Sequence, residues 1–234
     1  MENVKDIDGN SYKTVRIGDQ IWMAENLKVT HYRNGDPIPN LMDGLNRSNW
    51  DKNSWKGEYC NYDNDEDNVN IYGRLYNGFV VNDEREFAPK GWHVSTDEEW
   101  MELEMALGMS ESEAKRTGYR GTNQGSQLVS NSDLWNHEPT LRQLTGEATI
   151  LMDGYNLVGP GFETSGFSAL PGGCWSNYGQ TYLGKFHYCH FWTSTKFSDD
   201  YFSMSRRLNS LKQGVTRPDA DYWRHGFSVR CIKD

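Results

Sequence analysis

The sequence has little positive charge and no long hydrophobic run. Its 24 lysine and arginine residues stand against 33 aspartate and glutamate residues, which leaves a net charge of −9. Because binding to a phosphate backbone needs clustered cations, this balance excludes a nucleic-acid-binding function. No stretch approaches the roughly 18 consecutive apolar residues of a membrane-spanning helix. We therefore expect no transmembrane segment and no nucleic-acid partner.

Cysteine is also scarce, and the four that are present match no zinc-binding spacing. Four cysteines allow three disulfide pairings. In an oxidising compartment we expect a disulfide between Cys174 and Cys189 on neighbouring late strands, and a second between Cys60 and Cys231. A free buried thiol at Cys231 is an equally ordinary outcome.

The clearest single element is a helix that ends near Gly108, a natural C-terminal glycine. Thr96 can cap its first turn, and Glu99, three residues later, can complete a capping box. An apolar stripe at helical spacing begins with Trp100 and Leu103. The pattern predicts one well-defined helix on which a sheet packs.

Most of the remaining chain has the short alternating patterns of β-strands, separated by turn residues. Residues 12–17 and 20–23 predict an N-terminal hairpin. Residues 227–231 predict a last strand that buries every second side chain. A second capping pattern at Ser110 predicts a short helix that ends near Gly118.

These elements predict a single α+β domain over residues 1–234, since neither an internal repeat nor a linker interrupts the chain. We expect a hairpin and loops in residues 1–87, helices in residues 88–118 and a β-rich, ligand-binding region in residues 160–234.

Several blocks of sequence resemble the Fibrobacter succinogenes major paralogous domain, and they follow the order found in that family. The blocks are residues 6–12, 20–27, 62–65, 73–77, 88–94, 166–173, 191–195 and 226–231. The resemblance implies a C-type-lectin-like fold, similar also to formylglycine-generating enzymes, with short helices, a small twisted antiparallel sheet and long irregular loops. Its members are mainly bacterial surface or secreted proteins, and some relatives are variable proteins diversified by retroelements.

An acidic stretch offers a candidate calcium site. Oxygen-bearing side chains recur at alternate positions, and Asn68 stands where a calcium loop turns sharply. Arg74 occupies the position where an EF-hand has glutamate, so the motif is not an EF-hand. A solvated acidic turn is the alternative to a structural Ca²⁺ site. The candidate ligands are Asp63, Asp65, Asp67 and Asn68.

We do not expect an enzyme. Catalysis of the formylglycine-generating type needs a pair of nearby reactive cysteines late in the chain, and no second cysteine lies close to Cys189. Ser194 and His190 are near one another in sequence, but no acid is placed to orient the histidine. No catalytic residues are therefore predicted.

The last third of the chain has an unusual density of aromatic and short polar residues, the types that make adaptable contacts in binding surfaces. We predict one exposed ligand-binding face, with Trp175, Tyr222 and Trp223 as its anchors. The face consists of Trp175, Asn177, Tyr178, His187, Tyr188, His190, Asn209, Asp219, Asp221, Tyr222, Trp223 and His225.

The sequence therefore predicts a non-catalytic module that binds a protein or carbohydrate receptor. Three uses remain open: a bacterial surface adhesin, a phage or retroelement-diversified receptor-binding protein, and a structural subunit without a selective ligand. No signal peptide begins the chain. If the protein is extracellular or at the cell surface, we expect an export leader outside this sequence. The alternative location is a virion tail, which needs no such leader.

Overall fold

The computed structural model describes residues 3–43, 56–130, 133–135, 163–198 and 201–234. The strands of the first half are β1 (Val4–Lys5), β2 (Ser11–Tyr12), β3 (Thr14–Ile17), β4 (Gln20–Met23), β5 (Tyr59–Cys60), β6 (Leu75–Asn77), β7 (Trp92–Val94) and β8 (Gly118–Arg120). Those of the second half are β9 (Gly172–Ser176), β10 (Thr181–Lys185), β11 (Tyr188–Ser198), β12 (Phe202–Asn209), β13 (Lys212–Arg217), β14 (Asp221–Tyr222), β15 (Gly226–Phe227) and β16 (Cys231–Lys233). The helices are α1 (Asp67–Tyr72), α2 (Gly78–Val81), α3 (Asp97–Ala106), α4 (Glu111–Ala114) and α5 (Gln124–Leu128), with a 3-10 turn over Tyr62–Asn64.

The described strands form three sheets, and the predicted mixed α+β class with few short helices is confirmed. The largest sheet has ten strands, in the order β5-β6-β15-β9-β11-β12-β13-β8, with β10 beside β9 and β14 beside β12. This sheet is larger than the small antiparallel sheet that we expected, and it contains a parallel pair, β9 with β11. Strands β5, β6 and β8 join it from distant parts of the chain, and local sequence patterns do not reveal such pairing.

The N-terminal hairpin and the main helix form as predicted. β3 and β4 pair in register around the turn at Gly18. In α3 the Thr96 hydroxyl accepts a hydrogen bond from the Glu99 amide at 3.1 Å, and the Glu99 carboxylate accepts one from the Thr96 amide at 2.7 Å. Gly108 follows the helix with φ +96°, the left-handed conformation that favours glycine.

The second predicted helix is shorter than expected. Ser110 caps α4 as predicted, since its hydroxyl accepts a hydrogen bond from the Glu113 amide, but the helix ends at Ala114 rather than near Gly118. Gly118 has φ +83° and begins β8, so its backbone cannot continue a helix. Local patterns did not predict α1, α2 or α5, which have six residues or fewer each.

Strand β11 divides the two main parts of the core. Trp192 packs into a cluster with Tyr76, Phe227 and Val229. Phe191, the preceding residue, packs on the other side with Trp100 of α3. Successive side chains of a strand point to opposite faces, so one strand supplies both clusters.

Both expected disulfides are wrong. For Cys174 and Cys189, the alternation of side chains between the two faces of the sheet explains why. The four cysteines are buried free thiols. Cys189 pairs with Gly173 in register, which places Cys174 one residue out of phase. Cys174 therefore packs in the cluster of Trp192, whereas Cys189 packs on the opposite face. Burial raises the pKa of the Cys60 and Cys189 thiols to about 12, so both are protonated and unreactive at neutral pH.

Arg230 joins three of the sequence blocks that carry the family resemblance. Its side chain is 1% exposed. Its guanidinium donates to the side-chain oxygen of Asn26 and to the backbone oxygens of Met23, Phe167 and Ser168. Burial lowers the pKa of Arg230 to about 9, and no carboxylate offsets that cost among these partners. Carbonyl dipoles therefore hold this arginine in the core.

A second set of buried charges connects α3 to the large sheet. We call Asp97, Glu104, Arg120, Arg206 and Arg217 the ionic cluster. Arg206 lies 2.6 Å from the Asp97 carboxylate and 2.9 Å from that of Glu104. Arg217 lies 2.6 Å from Asp97. Arg120 lies 2.8 Å from Glu104 as an ion pair, without the alignment of a hydrogen bond. Each carboxylate thus faces two guanidinium groups.

Candidate functional site

A cleft of about 390 Å³ opens on the face of the large sheet opposite the ionic cluster. Six strands and the turns after β9 and β14 supply its walls, so the sheet fixes most of its shape. The cleft is lined by Cys174, Ser176, Tyr178, Leu183, Tyr188, His190, Arg207, Asn209, Asp221, His225 and Phe227.

The strand register brings the polar side chains of the cleft together. His190 of β11 lies directly opposite Arg207 of β12, and Tyr188 lies opposite Asn209. Residues two apart on a strand share a face, and residues opposite one another across an antiparallel pair are close neighbours. These four side chains therefore form one patch.

Five rings form a continuous arc along the cleft. Tyr178 meets His225 edge to face, with ring centroids 5.0 Å apart. His225 stacks on Phe227 at 5.7 Å with parallel planes. Phe227 contacts His190 at 4.6 Å, and His190 contacts Tyr188 at 5.3 Å. His190, His225 and Phe227 are 8% exposed or less, so the aromatic surface that the arc presents comes mainly from its two end residues, the exposed Tyr178 and the half-buried Tyr188.

Both histidines of the arc are neutral at physiological pH. Burial lowers the pKa of His190 well below its usual value, and the charges of Arg207 and His225 lower it further. Burial also lowers the pKa of His225, although nearby Asp221 opposes the shift. Nδ1 of His225 accepts a hydrogen bond from the Asn177 amide at 3.3 Å. A neutral imidazole offers one donor and one acceptor, which suits hydroxyl groups.

Two buried polar atoms of the cleft have no hydrogen-bond partner among the described residues: Nδ1 of His190 and Nε of Arg207. Asp221, in contrast, accepts a hydrogen bond from the Ser205 hydroxyl. Leaving a buried donor or acceptor unsatisfied costs about 1–3 kcal/mol. Most buried polar groups in folded proteins are paired, so these exceptions need an explanation.

Half of the predicted face comes together in the cleft, and half does not. Tyr178, Tyr188, His190, Asn209, Asp221 and His225 line it. Asn177 adjoins it through its amide contact with His225. Tyr222 packs its ring on Phe202 at 5.3 Å. His187 and the exposed Asp219 lie outside the lining.

The expectation that Trp175 and Trp223 are exposed anchors is wrong. Trp175 is 6% exposed, and it packs with Cys60 and Leu75 because it alternates with the cleft residues Cys174 and Ser176. These two tryptophans are core residues.

Trp223 is 8% exposed and lies between other aromatic rings. Its centroid is 5.4 Å from that of Phe79 and 5.5 Å from that of Tyr201. Its indole nitrogen donates to the Ser203 hydroxyl at 2.7 Å. A ring held in this way supports the fold and is not available as a contact residue.

Sequence reasoning missed Arg207, the only arginine that lines the cleft among the described residues. It adjoins Arg206 in sequence, and the pair carries no local signal of function. The register of β11 with β12 was the information needed, since it places Arg207 opposite the predicted His190.

The acidic turn has a different backbone from the one expected. Asp63 and Asn64 adopt positive φ, whereas Asn68 lies inside α1. The Asn68 amide donates to the Tyr62 backbone oxygen, and its oxygen accepts from Lys185 at 2.7 Å. The described residues contain no cluster of three histidine, cysteine, aspartate or glutamate side chains that could hold a metal ion.

The Ca²⁺ site stays a prediction. A ligand that binds only the folded state stabilises it, so calcium binding at this turn raises the melting temperature relative to excess chelator. Melting curves that coincide would leave a turn without metal.

The comparisons with known proteins yield one match. The Fibrobacter succinogenes major domain matches residues 15–233. The chain belongs to this family. No curated protein and no solved structure gives a significant match. The family membership confirms the resemblance carried by the sequence blocks. Two of these blocks meet in the core, because Arg230 in residues 226–231 donates to the backbone oxygens of Phe167 and Ser168 in residues 166–173.

No helix in the described ranges is long and apolar enough to cross a membrane.

Proposed function

We propose that this protein is a non-catalytic binding module and that the cleft is its ligand site. One observation carries the proposal: the five-ring arc and two buried polar atoms without partners among the described residues lie in the same cleft. These atoms are His190 Nδ1 and Arg207 Nε. Concave sites with apolar walls and a few convergent polar groups are typical of small-ligand recognition.

A carbohydrate fits the cleft best among the predicted partners. Rings stack on the apolar faces of sugars, while neutral imidazole, amide and carboxylate groups pair with hydroxyls. His190, His225, Asn209 and Asp221 supply those groups here. A volume of about 390 Å³ suits one or two sugar rings rather than a long polymer.

We further propose the C-type-lectin-like fold that the family resemblance implies. Short helices, one main helix packed on a sheet, and long connections between strands support it. The last strand also lies beside the N-terminal hairpin, because β16 pairs with β4. An experimental structure that shows another strand connectivity would contradict this assignment.

Two biological uses of the site remain as proposals: a bacterial surface adhesin, and a virion-borne receptor-binding protein diversified by a retroelement. Both need a selective ligand, whereas a structural subunit does not. A neighbouring reverse-transcriptase gene with a near-repeat of the 3′ end of this gene would favour the second use.

A glycan array, followed by titration of the best binder, tests the binding function. Tyr178 is 81% exposed and ends the ring arc, so Tyr178→Ala should reduce affinity by about tenfold or more without affecting folding. Phe197→Ala is the matched control, because Phe197 is 59% exposed and does not line the cleft. Equal losses in both variants, or no binding by the wild type, would contradict the proposal.

A further inference from the structure

Arg207 differs from every other arginine discussed above in what its guanidinium contacts. Arg206 pairs with two carboxylates, and Arg230 donates to several oxygens. Arg207 lines the cleft with a buried Nε that has no partner among the described residues. A guanidinium carries five N–H donors in a planar fork that matches a carboxylate. The cleft therefore holds a guanidinium that forms no ion pair with the described residues, in a protein whose net charge is −9.

His190 places a second unsatisfied atom beside that cation. It is 5% exposed, lies opposite Arg207 in the strand register, and has an Nδ1 that finds no hydrogen-bond partner in the described part of the chain. Because burial, and in addition the positive charge of Arg207, lower the pKa of His190, the ring stays neutral. A neutral imidazole next to a guanidinium can bind a hydroxyl while the guanidinium binds an anionic group.

The carboxylate already present in the cleft does not compensate Arg207. Asp221 accepts a hydrogen bond from Ser205, on the strand that also carries Arg207. No ion pair joins Asp221 to Arg207 among the described residues, whereas the ionic cluster has four ion pairs on the other face. An anion supplied from outside is therefore the missing partner.

We propose that the cleft selects acidic sugars: Arg207 binds the carboxylate of the sugar, and His190 Nδ1 binds an adjacent hydroxyl. The ring arc from Tyr178 to Tyr188 then lies along the sugar ring. This inference rests on the proposed binding function and adds the ligand class. It selects a ring-bearing carboxylate over a peptide carboxylate, because the aromatic rings of the arc favour a partner that has an apolar ring face.

Titration of the full chain with glucuronate and with glucose tests the proposal, since the two sugars differ by one carboxylate. Wild-type protein should bind glucuronate at least about tenfold more tightly, the typical worth of a hydrogen-bonded charge pair. Arg207→Gln should abolish the preference for glucuronate over glucose. Arg207→Lys should keep part of the preference, because it retains the charge without the fork. Arg116→Gln, an exposed arginine outside the cleft, is the control and should keep it.

Three results would overturn the proposal: equal affinity for both sugars, a preference that survives in Arg207→Gln, or acetate that competes as well as glucuronate. If Arg207→Gln does not fold, as judged by thermal melting, Arg207→Lys decides the question. Equal binding of the two sugars that still depends on Tyr178 would remove the acidic-sugar inference alone. Glycan binding that does not depend on Tyr178 would remove the proposed function as well.

Discussion

Two neighbouring arginines show how differently the two faces of the large sheet are built. Arg206 points into the ionic cluster, where it contacts Asp97 and Glu104. Arg207, the next residue, lines the cleft, and its Nε has no hydrogen-bond partner within the described ranges. Charge alone therefore does not distinguish scaffold from site in this protein. The distinction is whether an arginine forms ion pairs with carboxylates of the described residues, as Arg206 does and Arg207 does not.

The largest expected effect comes from breaking the paired face. Asp97→Ala removes the carboxylate shared by Arg206 and Arg217, so Arg217 loses its ion-pair partner and Arg206 keeps only Glu104. We expect a loss of about 3–5 kcal/mol in the free energy of unfolding, measured by urea denaturation. Glu98→Ala, an exposed acidic residue next in sequence, is the control and should change stability by about 0.5 kcal/mol at most. Similar values for both variants would show that the cluster is dispensable.

Truncation of the misassigned aromatic anchor should have the next largest effect. Trp175→Ala leaves a cavity among Cys60, Tyr62 and Leu75, so we expect about 3 kcal/mol of destabilisation by urea denaturation. The exposed-anchor hypothesis predicted almost none. A Trp175→Ala variant as stable as the wild type would restore the tryptophan to the binding face.

His93 is an intermediate case between the buried ionic cluster and the cleft, because its contacts with two carboxylates are partly exposed to solvent. Its imidazole lies 2.8 Å from Glu99 and 2.7 Å from Asp234. The Glu99 hydrogen bond raises the pKa of His93 to about 9, with a further contribution from Asp234, although burial opposes the shift. A raised pKa adds stability that is complete below the unfolded value of about 6.5 and is lost as pH rises through about 9.

The stability difference between wild type and His93→Gln should therefore shrink between pH 6.5 and pH 9. Solvent screening limits it to about 1 kcal/mol or less at the lower pH. Urea denaturation of both proteins across this range measures it. A difference that stays constant with pH would mean that the pair contributes no charge interaction.

The smallest effect on stability is expected in the cleft itself. Tyr178→Ala removes a ring that is 81% exposed, so the free energy of unfolding should change by about 0.5 kcal/mol at most. The same change is the one expected to weaken glycan binding. A large loss of stability would mean that the ring arc supports the fold, and the contrast between the two faces would fail.

Local patterns predicted the elements that local chemistry determines. The capping box at Thr96 and the Gly18 hairpin depend on residues close in sequence, so both could be read directly. The ten-stranded sheet depends on β5, β6 and β8, whose pairing partners lie far along the chain. Such pairing follows from three-dimensional packing and not from any local pattern.

The site was predicted in part for the same reason. Composition identified the segment that contributes most of the cleft, and six of the predicted residues line it. Composition does not say which strand face a residue occupies, so Trp175 was included and Arg207 was omitted. The burial of Glu104 and Asp97 in α3 was equally hidden, because their arginine partners come from β8, β12 and β13.

Histidine side-chain NMR during a glycan titration tests the central claim most directly. If unpaired polar atoms mark the binding site, a ligand that saturates the protein supplies the missing partner of His190 Nδ1 and shifts its nitrogen resonance. His93, already paired with Glu99 and Asp234, should not shift. A glycan that saturates the protein without shifting the His190 Nδ1 resonance would contradict the account.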